Sequence, residues 1–162
     1  MKKFLVIGNP IDHSLSPDLH NYWIKNSSID ATYEKQKINE DQLEQIISQV
    51  KDNKINGINV TVPFKKTVIP YLDELSAEAK STQSVNTIYK KDNKIIGHNT
   101  DIFGFETSIK KAEYYLEDKE VLILGAGGVV PSIIFSLIKM KTSKIKISNR
   151  TKEKAENLKK IF

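Results

Sequence analysis

"VLILGAGGVVPSIIFSLI", residues 121–138, runs for 18 positions without a charge. Two structures compete for such a run. A membrane-spanning helix needs about 20 consecutive apolar residues. A strand, a turn and a helix need two shorter apolar runs with a flexible break between them. Gly125, Gly127, Gly128 and Pro131 interrupt the middle of the stretch. They break a spanning helix but suit a tight turn and a helix start. The stretch therefore reads as a strand near 119–124, a glycine turn and a helix, which is the unit of a parallel α/β sheet.

The alternation of strand and helix patterns continues toward the N-terminus. Residues 3–7 read as a strand. Residues 17–26 read as a helix, with Pro17 in the first turn and Leu19, Tyr22 and Trp23 at helical spacing, which predicts that Tyr22 and Trp23 lie in the core. "ATYEKQKI" (31–38) alternates as a strand, and "NEDQLEQIISQV" (39–50) is an amphipathic helix with an acidic first turn. "GINVTV" (57–62) is a strand and "YLDELSAEAKS" (71–81) a helix. "SVNTIYKKDNKIIGHNT" (84–100) reads as a hairpin turning at Asp92-Asn93. "DIFGFETSIKKAEYYL" (101–116) is a helix. After the glycine turn come a strand, "SKIKISNR" (143–150), and a helix, "TKEKAENLKKIF" (151–162), with Thr151 as its N-cap. The pattern divides the chain into a unit of residues 1–100, a connecting helix over 101–118 and a second unit over 119–162.

Composition narrows the chemistry. There is no cysteine, so disulfides and thiolate metal sites are excluded. His13, His20 and His98 lack metal-ligand spacing, and no metal site is expected. Residues 139–162 hold nine Lys or Arg against two Glu, a net of +7, while the other 138 residues carry a net of −2. A nucleic-acid protein more often spreads its basic face across the fold. This local concentration reads either as a solvated helix surface or as an anion site. "MKKFLVIGNP" lacks the long apolar region and the cleavage site of a signal peptide. A cytoplasmic protein with no membrane or nucleic-acid partner is expected.

Four groups of residues carry candidate chemistry. "GAGGVV" (125–130) follows an apolar strand and opens a helix, the context of a dinucleotide fingerprint. Gly125 allows the turn, Gly127 lets backbone approach a pyrophosphate, and the helix start supplies amides and a positive dipole. Its third position is Val130, where a small residue is usual, which predicts a less intimate helix–strand approach. "SNRTKEK" (148–154) ends the next strand without the acidic residue that suits a ribose 2′-hydroxyl. Asn149, Arg150, Thr151 and Lys154 suit a 2′-phosphate instead, pointing to NADP, although the same residues would also cap a basic helix. Ser14 and Ser16 stand two apart in "DHSLSPDLH" (12–20), where two hydroxyls could grip one carboxylate or Ser16 could cap a helix. Finally, "GINVTVPFKK" (57–66) places Thr61 and Lys65 where a strand runs out, and Asn86 and Asp101 lie beside other strand ends, where rigid scaffolds present reactive groups. Asn86 and Asp101 would serve equally as turn or cap residues, Asp101 as the N-cap of the helix it begins.

In this order "GNPIDHSLSPDLHN", "INVTVPFK", "SVNT", "GHNTDIFGF", "LILGAGG" and "SNRT" resemble the shikimate dehydrogenase family across all 162 residues. The resemblance implies an N-terminal α/β substrate domain with a mostly parallel sheet, followed by the first part of a Rossmann NADP-binding domain. It implies reversible reduction of 3-dehydroshikimate to shikimate on the route to aromatic amino acids. Lys65 would be the catalytic lysine and Asp101 its partner. Ser14 and Ser16 would bind the substrate carboxylate. Thr61, Lys65, Asn86 and Asp101 would hold the ring hydroxyls. Gly125, Ala126, Gly127 and Gly128 would form the phosphate turn, and Asn149, Arg150, Thr151 and Lys154 the 2′-phosphate site. A monomer or homodimer is expected.

Family members continue for roughly another hundred residues, so the chain is expected to be a fragment with little or no turnover of its own. Two other functions compete. One is a quinate/shikimate dehydrogenase; Ser16 leans toward shikimate, because relatives that prefer quinate can carry threonine there. The other is a non-catalytic module that binds a small carboxylate, and the intact Lys65 and Asp101 argue against it.

Overall fold

Strand β1, Lys2–Gly8, sits inside the larger sheet, and Leu5, Val6 and Ile7 are all buried, as both faces of an internal parallel strand are. The computed structural model describes residues 1–162. After β1 come helix α1 (Ser16–Asn26) and strand β2 (Ala31–Lys37). A short turn at Glu40–Gln42 leads into α2 (Leu43–Lys51), which buries Leu43, Ile46, Ile47 and Val50 at helical spacing. Strand β3 is Gly57–Val60 and β4 is Glu74–Leu75. Helix α3 (Ala77–Thr82) precedes the hairpin of β5 (Thr87–Lys91) and β6 (Lys94–His98). Helix α4 is Asp101–Lys111. The second unit runs β7 (Glu120–Leu124), α5 (Val130–Lys139), β8 (Lys144–Ser148) and α6 (Lys152–Ile161).

The first six strands form one sheet in the order β2-β1-β3-β5-β6-β4, and β7 and β8 form a parallel pair. β5 alone runs against its neighbours; the pairs β1–β2, β1–β3 and β4–β6 are parallel. The sheet is thus mostly parallel. One core cluster of 16 buried residues and a smaller one of Val6, Ile11 and Tyr33 lie in the first unit, and one of six fills the second.

Reversal of β5 has a direct consequence for the site. It brings the start of β5 to the same rim as the ends of β1, β3 and β6. Ser14 and Ser16 follow β1, Thr61 and Lys65 follow β3, Asn86 precedes β5, and Asp101 follows β6. Six residues distant in sequence therefore share one edge of the sheet.

Several local expectations are corrected. Tyr22 and Trp23 are 63% and 51% exposed, and α1 buries no residue. The helix is fastened by other residues: the Asn21 carboxamide bonds both the N–H and the C=O of Tyr33, the His20 ring stacks on the Tyr33 ring, and half-buried Ile24 packs against Val6, Ile11 and Tyr33. Residues 71–81 are not one helix. Ser76, in an extended conformation, accepts a hydrogen bond from the Ala79 amide and starts α3 there, while Glu74 and Leu75 pair with β6. Gly97 of β6 permits this: a Cβ there would meet Leu72 Cδ1 at 2.5 Å and Leu75 Cδ2 at 2.9 Å. Helix α4 stops at Lys111, short of the expected 116–118, because the chain turns left-handed at Glu113 with φ 54°. Its N-cap is Thr100, with Asp101 the first helical residue; likewise Ser16 begins α1 and Leu15 occupies the cap position. Val130 is 5% exposed and belongs to the second core, so the helix–strand approach is filled by the valine itself.

The hairpin turn is as expected, with Asp92 and Asn93 at φ 50° and 62°. No helix is long and apolar enough to cross a membrane, and α5 spans ten residues.

Candidate active site

Lys65 reaches the rim because β3 ends at Val60 and a turn after Pro63 carries the chain back against the sheet. The turn is pinned at both ends. Thr61 N–H continues the ladder onto Ile7 C=O, and the Lys65 C=O accepts from Val85 N–H at 2.7 Å. Phe64, 2% exposed, anchors the turn from below. Lys65 Nζ lies 2.7 Å from Asp101 Oδ2, and the two side chains are only 14% and 20% exposed. Shielding from water strengthens this pair relative to a surface ion pair.

Asn86 occupies the other carboxylate oxygen, donating from Nδ2 to Asp101 Oδ1 at 2.9 Å. Its own Oδ1 accepts from Thr100 N–H, Thr100 Oγ1 and Thr87 Oγ1. The backbone N–H can only donate, so the amide orientation is set and its NH₂ faces the carboxylate. Behind it, Tyr33 Oη donates to Asn59 Oδ1 at 2.7 Å, and Asn59 Nδ2 donates to Asn86 C=O and Thr87 Oγ1.

The remaining expected substrate residues lie on the same rim without touching the pair. Ser14 and Ser16 are half-buried, and Ser14 Oγ accepts from Ser16 N–H at 3.3 Å. Thr61 turns its methyl toward Gly8, where a Cβ would sit 2.6 Å from it.

The glycine turn closes the far side. Gly125 has φ 114°, a conformation that favours glycine. Open space surrounds Gly125 and Gly127, with no atom within 4 Å of where a Cβ would stand. At Gly128 the nearest atom to that point is Lys65 Cδ, at 3.9 Å, so the turn and the lysine adjoin. Asn149 Oδ1 accepts from Ala126 N–H and its Nδ2 donates to Thr151 C=O, tying the end of β8 to the turn. Arg150, Thr151 and Lys154 are exposed, and neither Arg150 nor Lys154 forms an ion pair. Backbone at a helix start, open glycines and two uncommitted cations form a donor set that fits a phosphorylated dinucleotide.

Asn99 escaped the sequence reading. It is 1% exposed, and its Oδ1 accepts from Asp101 N–H at 2.9 Å. Asn-Thr occurs in both "SVNT" and "HNTD"; an asparagine two residues before a helix start was the available signal. A cleft of about 490 Å³ between α5, β8 and α6 is lined by Ile134, Ile138, Ile145 and other residues, none of them among these groups.

Known proteins resemble this chain in sequence and fold. Residues 6–88 match the shikimate dehydrogenase substrate binding domain, and residues 107–162 match the family described as shikimate / quinate 5-dehydrogenase. The NADP(+) shikimate dehydrogenase of Pelagibacter ubique strain HTCC1062 is 61% identical over 161 residues, covering 99% of this chain and 61% of that protein. The crystal structure of shikimate dehydrogenase from Aquifex aeolicus superposes with a TM-score of 0.93 at 40% identity, covering all of this chain and 60% of that one. The Thermus thermophilus enzyme solved with NADP(H) and shikimate superposes at 0.89 with 30% identity, covering 99% of this chain and 60% of that one. The chain thus spans about three-fifths of the length of these relatives. With residues 6–88 and 107–162 both matched, the chain belongs to the shikimate dehydrogenase family.

Proposed function

We propose that this chain supplies the substrate site and the cofactor-phosphate end of an NADP-dependent shikimate dehydrogenase, an oxidoreductase that interconverts 3-dehydroshikimate and shikimate in aromatic amino acid biosynthesis. The observation that carries this reading is the Lys65–Asp101 pair at 2.7 Å with the glycine turn against Lys65. Relatives solved with shikimate and NADP(H) support it.

NADPH, when bound, supplies the hydride for the ketone carbon. Lys65, as an ammonium, stabilises the charge that develops on the ketone oxygen and delivers the proton that makes it a hydroxyl. In the reverse direction the neutral amine takes that proton back. Asp101 holds Nζ in place and accepts from a ring hydroxyl, and Asn86 holds Asp101. Ser14 and Ser16 bind the carboxylate, and Thr61 a further hydroxyl. Gly125, Ala126, Gly127 and Gly128 approach the pyrophosphate, and Asn149, Arg150, Thr151 and Lys154 the 2′-phosphate. Residues 1–100 form the substrate domain, 101–118 the connection and 119–162 the cofactor end.

Calorimetric titration of shikimate into the folded 162-residue chain tests this. Saturable 1:1 binding is expected. Lys65→Met is expected to weaken it by about tenfold or more, since a hydrogen bond to a charged group contributes about 1.5–3 kcal/mol. A folded chain that takes up no shikimate would overturn the reading. Tighter binding of quinate would move the substrate to its more hydroxylated neighbour.

A further inference from the structure

Two groups of elements meet where α3, α4 and the loops adjoining them face α5. Phe105 and Ile109 of α4 pack against the apolar cluster of α5, but beside them the seam is polar, where an apolar one would be cheaper to bury. Thr82, Ser84, Asn99, Ser132 and Ser136 are each no more than 3% exposed. Asn99 is the hub. Its Nδ2 donates to Ser84 C=O at 2.9 Å and to Ser132 Oγ at 2.8 Å, with Thr82 Oγ1 as a third, longer acceptor at 3.2 Å. Its Oδ1 accepts from Asp101 N–H. The Asp101 amide can only donate and the Ser84 carbonyl can only accept, so both ends of the carboxamide are assigned without ambiguity. Two further bonds cross the seam: Ser84 Oγ donates to Gly128 C=O at 3.3 Å, and Ser136 Oγ donates to Ile102 C=O at 3.5 Å.

One fully satisfied side chain therefore touches the loop between α3 and β5, the first turn of α5 and the backbone of Asp101. The apolar contacts of Phe105 and Ile109 hold the two units together, and the directional bonds of Asn99 add a fixed register beside them. Hydride transfer requires reacting atoms about 3–3.5 Å apart and aligned, so the reaction is sensitive to that spacing. We infer that Asn99 is a positioning residue: its buried carboxamide fixes the Lys65–Asp101 pair relative to the glycine turn of α5. The role rests on the dehydrogenase reading for its purpose, but not for its geometry.

Ser132→Ala tests the inference. It removes the acceptor on α5, leaves the Asn99 bonds to Ser84 and Asp101, and places the best helix former in a helix. The readouts are ¹⁵N NMR of the 162-residue chain, with residual dipolar couplings for orientation, and exchange of the Asn99 side-chain NH₂. In the parent chain one alignment tensor is expected for both units, with a slowly exchanging Asn99 NH₂. In Ser132→Ala the tensors of the six-stranded sheet and of β7–β8 are expected to diverge, and the NH₂ protons to exchange at least tenfold faster. Shikimate affinity is expected to stay within twofold. Ser136→Ala, on the same buried seam but not bonded to Asn99, is expected to leave the Asn99 signal and the single tensor unchanged. A single tensor and unaltered exchange in Ser132→Ala would overturn the inference, as would equal divergence in Ser136→Ala. Shikimate binding in the parent chain is read separately: its absence would sink the substrate assignment while the couplings still decide the role of Asn99.

Discussion

Asp101 has both carboxylate oxygens engaged, one by Lys65 and one by Asn86. Asp101→Asn leaves the shape but removes the charge, and a mostly buried ammonium then lacks its counter-ion. Urea unfolding is expected to show a loss of about 1–3 kcal/mol, with weaker shikimate binding. A second residue-scale effect concerns pH. The His20 ring stacks on Tyr33 at 4.1 Å, and burial pulls its pKa below the ordinary 6.5. As the pH falls through 6.5 the unfolded chain takes up a proton that the folded chain refuses, so this contribution to stability is lost toward acid. His20→Phe keeps the stack and is expected to flatten the fall in urea midpoint below pH 6.5. Lys65 was legible because a proline and a lysine follow an alternating strand, a local signal. Asn99 was not, because its partners Thr82, Ser84 and Ser132 lie 17, 15 and 33 positions away and only the folded chain brings them together.

At the scale of elements, α3 depends on its cap. Ser76 Oγ accepts from Ala79 N–H and also bonds His98 Nδ1. Ser76→Ala is expected to lower stability by about 1 kcal/mol, measured by thermal or urea unfolding. The same serine explains a misreading. Helix formers surround it, and helical periodicity runs across residues 71–81, yet the cap starts the helix only at Ala77 and leaves Glu74 and Leu75 free to pair with β6. α1 misled in the opposite sense. Its aromatic spacing suggested a buried stripe, but Asn21, His20 and Ile24, not Tyr22 and Trp23, hold the helix to the sheet. Periodicity reports which residues share a face; it does not say which face the sheet takes. The glycine turn, the strand before it and the helix after it were legible because chain flexibility and apolar runs are local properties.

For the molecule as a whole, the main cores of the two units are unequal: 16 buried residues against six. Amide exchange is expected to be slowest in β1 and β3 and distinctly faster in β7 and β8, where Leu122 and Leu124 remain 60% and 79% exposed. Equal protection in both sheets would contradict that order. The overall α/β class was visible in the alternation of patterns, whereas the two cores could be weighed only once packing was known. The reversed strand β5 also has a practical side. Its turn at Asp92-Asn93 stands at the opposite end of the hairpin from Asn86 and Asp101, about 17 Å along five strand residues. A short epitope or fluorophore-bearing peptide spliced between those two residues would mark the protein while leaving the rim that carries Lys65 and Asp101 untouched.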